Sequence, residues 1–111
     1  MNQKYVLKKN EEINALVKKK NSVGNKYYAI YYDKQENNDV KVAISVSKKN
    51  GSAPVRNYEK RVVREIIRTK WLDQLKGYRC LIIVKKEVLN LTFIDKEKEL
   101  ENVIKKMLNK K

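Results

Sequence analysis

The segment from Pro54 to about Leu75 constrains this chain more than any other, because as a helix it has two incompatible faces. With about 100° between successive residues, Arg56, Asn57, Lys60, Arg61, Arg64 and Arg68 span one arc of about 140°, and Val62, Val63 and Ile66 lie on the other side, with Ile67 at the Arg56 edge of the basic arc. The apolar side must be covered by protein, and the basic side must stay in water or meet an anion. Pro54 disfavours helical backbone at Ala53, which predicts a start at Pro54 or Val55, just after the Asn50-Gly51-Ser52 break. Lys76-Gly77 predicts the stop.

Both flanks read as strands. From Val40 to Ser47 the side chains alternate: Val40, Val42, Ile44 and Val46 form a core face, and Lys41, Ala43, Ser45 and Ser47 a small, polar one. Tyr78 to Val84 is nearly continuous in apolar residues, which predicts an interior strand. A strand, helix, strand crossover follows. Upstream, Tyr27 to Asp33 is a second run of β-formers, and the polar stretch Lys34 to Asp39 suits a hairpin between two antiparallel strands. Asn10 is placed to cap a first helix carrying Ile13, Leu16 and Val17 on one stripe. Thr92 and Asp95 have capping-box spacing before Leu100, Val103, Ile104, Met107 and Leu108, a final amphipathic helix that covers the sheet. The expectation is one α+β domain over residues 1–111, with no linker long enough to divide it.

Composition removes most catalytic chemistries. The chain has no His and one Cys, Cys80, so it has no Ser-His or Cys-His base, no His metal ligand and no internal disulfide. Asp33, Glu36 and Asp39 fall in the expected turn without the clustering that a Mg²⁺-dependent nuclease needs, so no catalytic and no metal residue is assigned. Leu81 to Val84, the longest wholly apolar run, is far short of the roughly 20 residues of a membrane span. The N-terminus has no secretory segment, and the expected location is the cytoplasm.

Twenty-seven Lys and Arg against 13 Asp and Glu leave a net charge of +14, a field that favours nucleic acid. Lysine-rich composition also arises from genome base bias, and solvated runs such as Lys18-Lys19-Lys20 mostly confer solubility. The arginines are different: of five, Arg56, Arg61, Arg64 and Arg68 fall in thirteen residues. Their planar forks match phosphate oxygens, and from Arg56 to Arg68 the helix rises about 18 Å, enough to follow several phosphates. Glu59 and Glu65 in the same segment are candidates to pair with these arginines, leaving the neutralisation incomplete. A membrane-surface role is disfavoured because the helix needs its apolar side for the core.

The stretch Ile44-Ser45-Val46-Ser47-Lys48-Lys49-Asn50-Gly51-Ser52-Ala53-Pro54-Val55-Arg56-Asn57-Tyr58-Glu59-Lys60-Arg61-Val62-Val63-Arg64-Glu65 closely resembles the hallmark of the bacterial ribonuclease P protein subunit. That pattern is a strand ending in VSKK, a Gly, an Ala, then RNxxKRxxRE, and every position is matched. Leu7-Lys8-Lys9-Asn10, the aromatic strand, the late apolar strand and Leu91-Thr92 also fall in family order. The resemblance implies a single-domain α-β-β-β-α-β-α sandwich with a four-stranded sheet and a left-handed βαβ crossover, an exception to the usual hand. It adds a short strand near Asn21 to Gly24.

The function implied is that of a protein cofactor, which promotes removal of the 5′ leader from precursor tRNA while the catalytic RNA performs the hydrolysis. Mg²⁺ would be held mainly by that RNA. Carried over by position, Arg56, Asn57, Lys60, Arg61, Arg64 and Arg68, with Lys48 and Lys49, would contact the catalytic RNA. Ile13, Val17, Tyr27, Ala29, Tyr31, Ser45 and Ser47 would line a cleft for the single-stranded leader, and Tyr28 and Tyr32 would be core. Family members commonly carry two phenylalanines where this chain has Ile13 and Val17, which implies weaker base stacking on the first helix. Precursor tRNA and the catalytic RNA are the implied partners, with no membrane and no obligate protein partner. The alternative from another class is a general RNA-binding or ribosomal protein.

Overall fold

The computed structural model describes residues 21–34, 40–46 and 51–109. The chain runs β1 (Ser22–Gly24), β2 (Tyr28–Lys34), β3 (Lys41–Val46), α1 (Ala53–Lys70), β4 (Tyr78–Val84), a 3₁₀ turn (Lys86–Asn90) and α2 (Phe93–Asn109). The helix expected after Asn10 lies outside the described residues, as do most of the expected hairpin turn and residues 47–50.

The four strands form one sheet in the order β1-β2-β4-β3. β4 is antiparallel to β2 and parallel to β3, so β3, α1 and β4 form the expected crossover. The hairpin expectation is corrected. β2 and β3 are adjacent in sequence but are separated by β4, which takes the interior place its apolar run requires. The connection therefore spans two strand spacings, about 10 Å, a distance that a short polar segment crosses easily.

Strand alternation puts Tyr28, Ile30, Val42, Val46, Cys80, Ile82 and Val84 on one face, where they pack in a single core with residues of both helices. α1 contributes Val62, Val63, Ile66 and Ile67, and α2 contributes Leu100, Val103, Ile104 and Met107, all buried. The helices divide the face between them, α1 lying over β3 and α2 over β1 and β2. Burial pushes the Cys80 thiol up to about 12, making it an inert core side chain beside Met107. Burial, reinforced by the charges of Glu59 and Glu99, holds the Tyr28 phenol well above its usual range.

α1 starts at Ala53, one or two residues before the expected Pro54 or Val55, and ends at Lys70, five residues before the expected Leu75. Trp71 leaves helical geometry (φ −122°, ψ −2°), and turns carry the chain to Gly77, whose φ of +83° only glycine adopts without strain. Trp71 and Leu75 continue the apolar spacing of Ile67 and are both buried, so a periodicity argument cannot see the break. At α2 the expected cap is present, with Thr92 Oγ1 accepting the Asp95 N–H at 3.2 Å.

Two charged side chains are buried in this core. Glu59 of α1 is 2% exposed and Lys96 of α2 is 5% exposed, and Lys96 Nζ donates to Glu59 Oε2 at 2.8 Å. Removing one partner strands a charge without water. Lys96→Met is expected to destabilise the fold by about 3–5 kcal/mol in urea denaturation, and Lys96→Met with Glu59→Leu should recover most of that loss. Equal losses in the single and double variants would show that the pair is not what couples these positions.

Candidate nucleic-acid interface

Sinking its apolar arc into the sheet turns the opposite side of α1 outward. Arg61, Arg64, Arg68 and Asn57 are exposed, and Arg56 and Lys60 are half-buried at the edge of the same arc. The two acids of this helix behave differently from each other. Glu59 faces inward and pairs with Lys96, so it neutralises none of the arginines. Glu65 takes Arg68, with Arg68 Nη2 at 2.5 Å from Glu65 Oε1, and that hydrogen bond holds the Glu65 carboxyl below its usual value. Among the described residues no acid pairs with Arg56, Lys60, Arg61 or Arg64, and these four form the available basic surface.

The amino-terminal end of α1 adds to this field. Its first turn holds no acidic residue, and Ser52 makes no side-chain cap, so backbone N–H groups and the positive end of the helix dipole lie beside Arg56. Lys48 and Lys49, assigned to the same surface from sequence, lie outside the described residues.

The other sheet face is organised in rows by strand register. Ser22, Tyr31, Leu81 and Ala43 form one row, and Gly24, Ala29, Ile83 and Ser45 the next. Ala29 and Tyr31 are half-buried and Ser45 is exposed, so three of the expected cleft residues do share one surface. A Cβ at position 24 would come within 3.1 Å of the Tyr28 carbonyl oxygen, so Gly24 keeps this end of the floor low.

Two expectations for this face are corrected. Tyr27 precedes β2 and packs against the principal core, not beside Tyr31, because Asn25 Oδ1 accepts the N–H groups of Tyr27 and Tyr28 and bends the chain there. The face is also less polar than its β3 residues suggested. Ala43 and Leu81 are buried in a small second cluster with Tyr31 and Ile83, because β4 places leucine and isoleucine next to the small β3 side chains. Ile13, Val17 and Ser47 lie outside the described residues.

Arg79 and Asp33 were not assigned to this face from sequence. They oppose each other in the row beyond Tyr31, and Arg79 Nη2 donates to Asp33 Oδ2 at 2.7 Å, with Lys41 across from Arg79 on the other side. The available signal was that Arg79 is the one arginine outside the basic helix, at an alternating position of an apparently all-apolar strand.

The ribonuclease P family model matches residues 1–108. The chain belongs to the ribonuclease P protein family. It is 43% identical over 94 residues to a ribonuclease P protein component of Phytoplasma australiense, covering 84% of this chain and 82% of that one. A Bacillus cereus ribonuclease P protein component is 37% identical over 108 residues, covering 96% and 93%. The solved ribonuclease P protein of Staphylococcus aureus superposes with a TM-score of 0.85 at 30% identity, over 91% of this chain and 93% of that chain. That from Thermotoga maritima gives 0.82 at 27% identity, over 90% and 94%. The α+β fold with a four-stranded mixed sheet is therefore the ribonuclease P protein fold, and the expected short strand before the aromatic one is β1. As a ribonuclease P protein component, the chain is a subunit of an endoribonuclease whose catalysis belongs to its RNA, and the general RNA-binding or ribosomal alternative falls away.

Arg61 and Arg64 are expected to carry ionic contacts and Arg68 to carry less. In a salt series with a ribonuclease P RNA transcript, Arg61→Ala and Arg64→Ala should each reduce the slope of log affinity against log salt by about one contact. Arg68→Ala should change it by less, because Glu65 competes for that guanidinium. A full-sized change at Arg68 alone would contradict this ordering.

Proposed function

We propose that the two faces divide the work of binding between two RNAs. The α1 surface of Arg56, Asn57, Lys60, Arg61 and Arg64 holds the catalytic RNA, with Arg68 as a weaker contributor. The sheet face turned away from α1 and α2 holds the single-stranded 5′ leader of precursor tRNA. The observation that carries this reading is the outward basic arc that Glu59 leaves unneutralised, on a helix whose other side is core. Its arginines present forks to phosphates, and its length suits several successive ones.

On the sheet, Tyr31 offers a ring beside the low floor of Gly24, Ala29 and Ser45, an arrangement on which an unpaired base stacks without sequence preference. At one end of the face Asp33, Arg79 and Lys41 form a charged row in which Arg79 is already paired with Asp33. In this reading Mg²⁺ is held mainly by the catalytic RNA, and the protein contributes position and charge. No described helix is long and apolar enough to cross a membrane.

Tyr31→Ala tests the leader face. In the holoenzyme, affinity for leader-bearing precursor is expected to fall by roughly 1–3 kcal/mol and affinity for mature tRNA to stay nearly unchanged. Equal losses for both ligands would remove Tyr31 from the leader site.

A further inference from the structure

The large apolar side chains most exposed among the described residues are Val55, Tyr58, Leu89, Phe93 and Ile94, all from the amino-terminal end of α1 or from the approach to and start of α2. These two ends meet at Lys96. Its ammonium, bound to Glu59, lies 5.0 Å from the centroid of the Tyr58 ring, and Phe93 precedes Lys96 by one turn on the same side of α2. Tyr58 is 49% exposed and Phe93 42%. Around α1, Tyr58 lies about 60° beyond Arg61, so its ring borders the basic arc on the side facing α2.

We propose that Tyr58 is a base-stacking platform, which extends the RNA-binding surface from the basic arc of α1 across to Phe93 on α2 and takes an unpaired nucleotide of the catalytic RNA. The proposal rests on the reading of α1 as an RNA-binding face. An RNA backbone gripped by Arg61 and Arg64 runs beside this ring, and its bases are the apolar surfaces within reach. The ring is also held in place. Lys96 is buried, so the cation occupies the inner side of the ring and the outer side remains open. A base stacking on that outer side meets a ring already fixed by a cation–π contact, so little side-chain freedom is lost. A protein partner on the same patch would have to place apolar groups against a strongly positive surface, which an RNA strand satisfies with its own charge.

The test is a salt series of binding to a ribonuclease P RNA transcript by the full chain and by Tyr58→Ala, Tyr58→Leu, Tyr58→Phe and Arg64→Ala. Tyr58→Ala and Tyr58→Leu should each weaken binding about tenfold with the salt slope unchanged, and Tyr58→Phe should bind within about twofold of the unaltered chain. A packing role would be rescued by leucine, and an ionic role would change the slope, so either result overturns the stacking platform. If Tyr58→Ala binds normally while Arg64→Ala shows its shallower slope, the platform is wrong and the basic face stands. If Arg64→Ala also leaves the slope untouched, the basic face fails with it. Concentration-dependent self-association of the free chain that is abolished by Tyr58→Ala would make the patch a protein contact and would also overturn the proposal.

Discussion

The buried contact between Glu59 and Lys96 sets the rotation of α1, and most of what the surface does depends on that rotation. Val62, Val63, Ile66 and Ile67 alone define a broad apolar stripe that tolerates some rolling of the helix. A carboxylate on the same stripe does not, because it is tolerable in the core only where an ammonium reaches it. Lys96 supplies that ammonium from α2, so the two helices are held in one relation to each other. The arginine arc then faces away from the sheet with its charges intact. A roll of α1 that brought Glu59 to the surface would turn the arginine arc toward the sheet, because the helix fixes the angle between them.

The sheet applies the same economy on its two sides. β4 sits between β2 and β3 because both of its faces carry apolar residues, Cys80, Ile82 and Val84 toward the helices and Leu81 and Ile83 away from them. That placement makes the far face a shallow strip with tyrosine, alanine, glycine and serine around a small apolar centre, and a charged row of Asp33, Arg79 and Lys41 at one end. Because α1 packs over β3, the basic helix lies along the edge strand that also contributes Ser45 to this strip. The basic helix and this strip are thus neighbouring parts of a molecule with a single main core.

Much of this was legible in the residues. The charge and apolar arcs of α1, the interior position of β4, the crossover and the Thr92 cap follow from spacing and side-chain chemistry that act within a few residues. The order of strands was not legible: nothing local to Tyr27–Asp33 or Val40–Ser47 says that a third strand forty residues later will separate them. The end of α1 was overrun because Trp71 and Leu75 keep helical spacing in a chain that has already left the helix. The roles of Glu59 and Arg79 depended on partners far away in sequence, Lys96 and Asp33, and each was hidden by its neighbours, one among arginines and the other in an apolar strand. β1, only three residues long, came from family resemblance and not from periodicity.

Leader cleavage of precursor tRNA at low Mg²⁺ tests the central claim that this chain supplies binding surfaces to an RNA catalyst. Three reactions are compared: a bacterial ribonuclease P RNA alone, the protein alone, and the two together. The account predicts leader release in the mixture and little in either component. Release by the protein alone, or a mixture no faster than the RNA alone although the protein is bound to it, would contradict it.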